Sequence, residues 1–196
     1  MLGLEPGRVR LVPYRGEWAQ LFCKERARLL AAIGEYVLDI QHVGSTAIPG
    51  LPAKPILDIG VAVAEFEAAR VCIAPLEALG YTYRGEHGIP RRHYFVREPP
   101  RTHHLHMHEI ASPEWGRLVL FRDYLLAHPD VAEAYGALKR ELARRHSHDR
   151  GAYTEAKTAF VENVLGRARG RPDASAATPP WGSAPAGDSE GGSPYL

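Results

Sequence analysis

The spacing of hydrophobic positions changes several times along the chain, and each change predicts a new element of secondary structure. Apolar residues recur on one side of a helix from about Glu17 to Ile33, and Gly34 ends it. Residues 37–43 and 55–63 read as strands. The later pattern predicts a helix over 65–79, short strands at about 81–84, 92–97 and 102–110, and helices over 113–127, from Asp130 onward and over 150–167.

This order of elements predicts an α+β domain, a small mixed β-sheet flanked by helices, with a C-terminal helical half. Pro75 lies inside the predicted helix 65–79 and should kink or split it, because proline has no amide donor. The domain is expected to span residues 1–169. The tail, residues 170–196, is rich in Pro, Gly, Ser and Ala and is predicted to be disordered.

Composition narrows the functional classes only a little. The 24 Lys and Arg residues nearly balance the 23 Asp and Glu residues, so there is no strong signal for a nucleic-acid partner. The two cysteines, Cys23 and Cys72, fit a reducing compartment. No apolar run approaches the roughly 20 residues of a membrane span, and the N-terminus does not resemble a signal peptide. We therefore expect a cytoplasmic protein without a membrane partner.

Two predicted strands carry polar side chains on one face. In the strand 55–63, Asp58 shares its face with small residues, which leave room for a ligand. In the strand 102–110, His104, His106 and His108 share one face. If the two strands lie side by side, Asp58 and the central imidazole of His106 would converge. Such a pair can bind a divalent metal or shuttle a proton.

Each of these residues also has a structural interpretation. Asp58 could be a cap or an arginine partner, and the histidine strand could be a half-exposed edge. Lys54 is either a phosphate contact or a solvated loop residue. We predict that His42 is a buried, hydrogen-bonded structural histidine, with Leu38 and Ile40 as its core-side neighbours.

The segment HVGSTAIPGLPAKPILD, residues 42–58, resembles the signature of the GrpB family. Later segments are similar to the same family: His104-Leu105-His106, Phe121 to Leu125, His128-Pro129, Tyr135 to Lys139, and Asp149-Arg150 with Tyr153 and Lys157. The resemblance covers about residues 9–168, nearly everything except the tail.

The GrpB family is associated with the nucleotidyltransferase-fold superfamily, so the resemblance implies that fold. In that superfamily a Gly-Ser turn helps to hold a triphosphate, which corresponds to Gly44 and Ser45. Asp58 corresponds to the first of two metal-binding acids, but Gly60 stands where the second acid is expected. A third acid comes from a later strand, where His106 is the occupant we expect.

One hypothesis is a nucleotidyltransferase. A nucleoside triphosphate would bind over Gly44, Ser45 and Lys54, and Asp58 with His104 or His106 would hold a divalent metal (Mg, Mn or Zn). Asp58 and His106 would be catalytic, and a nucleotidyl group would pass to an unknown acceptor. Four basic residues on the C-terminal helices would grip phosphate or the acceptor, or else form solvated faces: Arg122, Lys139, Arg150 and Lys157.

The alternative is a non-catalytic binding or folding-assistance module. GrpB-like domains also occur fused to dephospho-CoA kinase, which makes that kinase a candidate partner. Gly60 in place of a second acid favours this alternative. The sequence also lacks the Gly-x-x-x-x-Gly-Lys-Ser/Thr motif of a kinase phosphate-binding loop. A metal-dependent hydrolase or lyase on the histidine face is a third possibility.

Overall fold

The computed structural model describes residues 2–5 and 8–170. The helices of the described part are α1 Glu17–Ile33, α2 Ile73–Ala78, α3 Pro113–Ala127, α4 Pro129–Arg145, α5 Arg150–Glu155 and α6 Thr158–Ala168. Its strands are β1 Val37–Val43, β2 Leu57–Val63, β3 Thr82–Tyr83, β4 His93–Arg97 and β5 His103–Glu109. Apart from Gly170, the predicted tail lies outside the described residues.

One five-stranded sheet organises the domain, in the order β1-β2-β5-β4-β3. The central pair, β2 and β5, is parallel, whereas the other neighbouring pairs are antiparallel. A mixed sheet with helices around it confirms the predicted α+β class. The parallel pairing matters for function because it sets Asp58 directly beside His104.

The two faces of the sheet have different characters. Leu57, Ile59 and Val61 of β2 point into the main core, where α1 contributes Trp18 and Leu29. The opposite face carries Asp58 of β2 and His104, His106 and His108 of β5, and it is contacted by α3. A second core joins α3, α4 and α6 to the loop before β2; its members include Ile48, Leu51, Phe121, Leu125, Tyr135, Phe160 and Leu165. The polar face is therefore enclosed between the sheet and the C-terminal helices.

Two predicted helices are interrupted in the structure. The predicted helix 65–79 consists of a 3₁₀ segment, Ala68–Cys72, followed by α2, and Pro75 lies in the first turn of α2. A first-turn amide has no acceptor within the helix, so proline costs little there. The predicted helix 150–167 is divided into α5 and α6.

Helix starts were predicted with mixed success. Helix α3 begins at the predicted residue, and Ser112 caps it, because its hydroxyl accepts a hydrogen bond from the amide of Trp115 at 3.1 Å. Helix α4 begins at Pro129, one residue before the predicted start at Asp130, which lies in the first turn. No helix within the described residues is both long and apolar enough to cross a membrane.

Candidate functional site

The turn between β1 and β2 approaches the Asp58 carboxylate very closely. Gly44 has φ of 68° and ψ of −170°, a conformation that is essentially restricted to glycine. A Cβ at this position would lie 2.5 Å from Oδ2 of Asp58. Glycine is therefore required twice, once by the backbone and once by the space that the carboxylate occupies.

Asp58 and His104 form a direct contact across the parallel strands. The Nδ1 atom of His104 lies 2.9 Å from Oδ1 of Asp58, while Nε2 of His106 lies 3.7 Å from the same oxygen. The predicted convergence of Asp58 with this histidine face is thus present. The cross-strand partner of Asp58 is His104, and His106 is opposite Gly60.

Lys139 reaches the Gly44-Ser45 turn from helix α4. Its Nζ donates to Oγ of Ser45 at 2.9 Å and to the carbonyl of Pro52 at 2.5 Å. The side chain is only 2% exposed. Gly136, one turn earlier, brings α4 close to the loop, because a Cβ there would lie 3.2 Å from Cδ of Pro52.

Two more lysines reach the same place around Tyr153. The Nζ atom of Lys157 lies 4.5 Å from the centre of the Tyr153 ring, and that of Lys54 lies 5.5 Å from it. Lys157 is buried and Lys54 is half-buried. The aromatic ring gives both cations a favourable contact away from water.

These residues line one cleft of about 40 Å³. Its lining comprises Gly44, Ser45, Thr46, Ala53, Lys54, Ile56, Asp58, His104, Phe121, Tyr135, Lys139, Tyr153 and Lys157. Among these described residues, Asp58 alone carries a carboxylate, against three lysines. The cleft therefore has an excess of cationic groups and suits an anionic ligand.

Burial changes the proton affinities of the cleft lysines. Desolvation lowers the pKa of Lys157 to about 7 and, together with the charge of Arg150, lowers that of Lys54 to about 8. Burial and the charges of Lys157 and Lys54 hold the pKa of Lys139 well below its ordinary value. Without an anion, the three ammonium groups disfavour one another.

Asp58 and the neighbouring imidazoles of His104 and His106 differ in their state of ionisation. Burial opposes ionisation of Asp58, but contacts with His104 and His106 outweigh it and hold the pKa of Asp58 below its usual range. Desolvation lowers the pKa of His104 to about 4 and lowers that of His106 as well. At neutral pH the group is an ionised carboxylate between two neutral imidazoles.

This group has the donor atoms of a metal site. Asp58, His104 and His106 each offer one ligand atom, and these atoms lie within 4.8 Å of one another. Within the described part of the chain, the Nε2 atoms of His104 and His106 are buried without hydrogen-bond partners. The role of the two histidines as metal ligands stays a prediction.

Trp115 and Val43 pack closely against Gly60, which stands where the second acid was expected. A Cβ on Gly60 would lie 3.0 Å from Cζ3 of Trp115 and 3.4 Å from Cγ1 of Val43. Trp115 is the third residue of α3, which covers this face of the sheet. A carboxylate at residue 60 would therefore require Trp115 to move.

Three of the predicted site residues lie outside the cleft. His106 lines a separate cavity of about 20 Å³ with Arg92 and His108. Arg122 donates from Nη1 to Oε1 of Gln41 at 2.7 Å and to the carbonyl of His42 at 3.0 Å, so it fastens α3 to β1. Arg150 does not line the cleft, although its charge acts on Lys54.

His42 has a structural environment. Its Nε2 lies 3.0 Å from Oγ1 of Thr46, and its ring stacks on Phe22 with centroids 4.7 Å apart. Burial lowers its pKa to about 4. Its predicted neighbour Ile40 is buried, but Leu38 is 60% exposed, and the core-side assignment of Leu38 was wrong. The strand register shifts between Val37 and Asp39, which displaces Leu38 from the alternation.

Two tyrosines of the cleft were missed as site residues. Tyr135 and Tyr153 each precede a cleft lysine by four residues in the sequence. Residues four apart share a helix face, so inward Tyr135 predicts an inward Lys139 in α4. Lys157 lies between α5 and α6, so this argument does not apply to it. Arg92 was also missed, because its contact with His106 depends on the pairing of β4 with β5.

Comparison with known proteins gives a consistent assignment. The profile described as GrpB protein matches residues 8–167. UPF0157 protein YqkA of Bacillus subtilis is 39% identical over 158 residues, covering 80% of this chain and 46% of that protein. The chain thus spans about half the length of this relative.

Two further matches extend the comparison. A dephospho-CoA kinase of Mycolicibacterium paratuberculosis is 33% identical over 187 residues, covering 82% of this chain and 46% of the kinase. The crystal structure of the conserved protein GrpB from Enterococcus faecalis superposes with a TM-score of 0.76 at 35% identity, covering 81% of this chain and 96% of the other. The chain belongs to the GrpB family.

Proposed function

We propose that the cleft binds the phosphate end of a nucleotide. The observation that carries this proposal is the convergence of Lys54, Lys139 and Lys157 on a cleft whose described lining has one carboxylate. Burying ammonium groups without matching negative charge is unfavourable, and a phosphate group supplies that charge. The Gly44-Ser45 turn adds hydroxyl and backbone groups of the kind that hold phosphates.

The size of the cleft limits what it takes in. A buried water needs roughly 10–15 Å³ by the same measure, so about 40 Å³ leaves room for a phosphate-sized group but not for a whole nucleotide. We therefore expect the phosphates to enter and the sugar and base to lie outside or to open the cleft. Specificity for the base would then be weak.

A divalent cation, magnesium or manganese, is part of the proposal. It would accompany the phosphates and contact the carboxylate of Asp58, which is ionised beside the Gly44-Ser45 turn. Its chemistry would be to neutralise charge on the phosphate oxygens. The chain's own residues bind and orient the anion.

Nucleotidyl transfer is the reaction that such binding would serve. An acceptor oxygen would attack the α-phosphorus, the bond from that phosphorus to the bridging oxygen would break, and pyrophosphate would leave. The acceptor proton needs a base, and Nε2 of His104 is a buried nitrogen without a partner among the described residues. Asp58 orients this imidazole through the contact with Nδ1.

A non-catalytic role is the second candidate, and a specific observation favours it. Trp115 packs where the second metal-binding acid of a transferase would project. The similarity to a dephospho-CoA kinase over 82% of the chain suggests a module that binds a phosphorylated ligand or assists a kinase in folding. Phosphate binding is common to both candidates.

Isothermal calorimetry with nucleoside triphosphates, with and without Mg²⁺, tests the binding proposal. We expect dissociation constants below 1 mM and at least a tenfold loss in Lys139→Met. Lys24→Met, which changes an exposed lysine of α1, is the matched control and should bind normally. If no triphosphate binds more tightly than millimolar with or without Mg²⁺, the proposal fails.

Release of pyrophosphate distinguishes the two candidate functions. Incubation of the bound triphosphate with Mg²⁺ and a cell extract should release pyrophosphate if the chain is a transferase, and Asp58→Asn should abolish the release. Tight binding without pyrophosphate release above that of Asp58→Asn would favour the non-catalytic role.

A further inference from the structure

Arg92 is a buried arginine that contacts His106 of the histidine face. Its side chain is held by Nε donating to the carbonyl of Glu86 at 3.2 Å and Nη2 donating to the carbonyl of His87 at 2.8 Å. Its guanidinium also lies 4.6 Å from the centre of the Tyr94 ring. The residue is 3% exposed, so its remaining nitrogen, Nη1, has a fixed direction.

The contact of Nη1 with His106 determines where the imidazole carries its proton. Nη1 lies 3.4 Å from Nδ1 of His106. A guanidinium only donates hydrogen bonds, so Nδ1 must present its lone pair. The proton of the neutral ring is then on Nε2, the atom that faces Oδ1 of Asp58 at 3.7 Å. This distance is longer than a hydrogen bond, but it places a positive N–H dipole against the carboxylate.

His104 contributes a second N–H to the same oxygen. Its Nδ1 lies 2.9 Å from Oδ1 of Asp58, and an ionised carboxylate only accepts hydrogen bonds. Nδ1 therefore carries the proton of His104. Both imidazoles act on Oδ1, whereas Oδ2 lies at the Gly44 turn, where a Cβ would be 2.5 Å away.

We infer that Arg92 fixes the tautomer of His106, that both imidazoles direct an N–H group at Oδ1 of Asp58, and that the group is not an imidazole metal centre. In this arrangement Arg92 and His106 are positioning residues, and Oδ2 of Asp58 is the atom presented to a ligand. The inference deepens the proposed function, because it restricts the cation to one that prefers oxygen ligands.

Competition between protons and metal explains this restriction. A metal bound by Asp58 and both imidazoles could use the unprotonated Nε2 of His104, but at His106 it would have to replace the proton on Nε2. The neutral ring of His106 would then carry its proton on Nδ1, facing the N–H of Arg92. Two donors would be opposed in a buried site, which is unfavourable. We therefore expect Zn²⁺ to bind weakly to the ring nitrogens of His104 and His106, whereas Mg²⁺ can bind Oδ2 of Asp58 and phosphate oxygens.

Nitrogen-15 NMR of the histidine rings in the wild-type protein at neutral pH tests the inference without any nucleotide. His104→Gln and His106→Gln assign the signals. We expect the Nδ1–H tautomer for His104 and the Nε2–H tautomer for His106. Finding the Nδ1–H tautomer for His106 would overturn the inference, whether or not nucleotides bind.

Cobalt binding, measured by its visible absorption as a substitute for zinc, gives a second test. The wild-type protein should bind Co²⁺ weakly, and Arg92→Met should bind it at least tenfold more tightly because His106 is released. Arg91→Met is the matched control, since Arg91 pairs with Glu109 and not with His106. Tight cobalt binding by the wild-type protein with imidazole coordination would contradict the inference, and if Arg92→Met does not fold, the wild-type tautomers decide.

Discussion

At the scale of single residues, two glycines define what the candidate site can do. Gly44 leaves the space that Oδ2 of Asp58 occupies, and its φ of 68° falls where other residues are strained. Gly60 leaves the space that Trp115 fills. The first glycine permits a carboxylate beside the turn that we propose binds phosphate, and the second prevents a second carboxylate from joining it.

Replacement of Gly44 tests this close approach. Gly44→Ala should lower the free energy of unfolding by about 2 kcal/mol or more and should weaken triphosphate binding, because the methyl group displaces Asp58. Gly50→Ala is the matched control, since Gly50 also has a positive φ, 80°, but has open space around its Cβ position. Urea denaturation and calorimetry should show destabilisation in both variants and loss of binding only in Gly44→Ala; equal binding by the two would contradict the account.

Restoring the missing acid should not restore a two-metal site. Gly60→Asp should destabilise the protein by about 3 kcal/mol or more, because it forces a carboxylate against the indole of Trp115. Gly116→Asp, at an exposed glycine of α3 with open space, should be much milder. A stable Gly60→Asp variant with increased Mg²⁺ affinity would show that the packing around Trp115 does not limit the site.

Alternation along each strand predicted that the three histidines share one face and that Asp58 lies among small residues, because side-chain direction in a strand is a local property. It did not predict that His104 is the cross-strand partner, since the pairing register depends on the whole sheet. Arg92 and Trp115 were not predicted for the same reason. Arg92 approaches from the segment just before β4, and Trp115 approaches from α3.

At the scale of elements, strand β5 carries buried imidazoles that remain neutral. Burial lowers the pKa of His103 to about 4 and that of His108 to about 3, and both side chains are at most 7% exposed. Unfolding returns these groups to an ordinary pKa near 6.5, so the unfolded chain binds more protons between pH 4 and 6.5. Stability should therefore be full above pH 6.5 and fall as the pH decreases toward 4.

Urea denaturation between pH 7.5 and 4.5 measures this dependence. Each buried imidazole should contribute on the order of 1 kcal/mol per pH unit to the decrease. His108→Gln should flatten the profile, whereas His148→Gln, at an exposed histidine, should leave it unchanged. A profile of His108→Gln that parallels the wild type would show that His108 does not titrate on unfolding.

Helix α4 and the α5–α6 pair each deliver a lysine four residues after an inward tyrosine. Lys157 is buried with its pKa lowered to about 7 from 10.5, so the folded state resists its charge. Lys157→Met should raise the free energy of unfolding by about 1–3 kcal/mol at neutral pH. The gain should be full below pH 7 and shrink as the pH rises toward 10.5, because the unfolded chain then also loses the proton.

The same variant should lose triphosphate binding, which would identify Lys157 as a residue kept for function at a cost in stability. Lys24→Met is the control and should change neither quantity. Thermal denaturation with and without triphosphate measures both effects. A destabilised Lys157→Met would mean that the contacts of the Lys157 side chain outweigh the cost of burying its charge.

At the scale of the whole molecule, the fold is that of a GrpB domain, and the hydrophobic pattern predicted its class. Long periodic segments such as α1 and β2 were predicted well, because their burial is encoded locally. The division of the helix around Pro75 was anticipated, whereas the end of α5 before Lys157 was not. The enclosure of the polar face by the C-terminal helices creates the cleft, and no single segment encodes it.

The most direct measurement is a crystal structure of the protein with a non-hydrolysable nucleoside triphosphate and Mg²⁺. Our account predicts phosphate density between Lys54, Lys139 and Lys157, with the cation contacting Oδ2 of Asp58 and neither imidazole. A triphosphate bound outside this cleft, or a cleft that stays without phosphate at saturating ligand, would contradict the central claim.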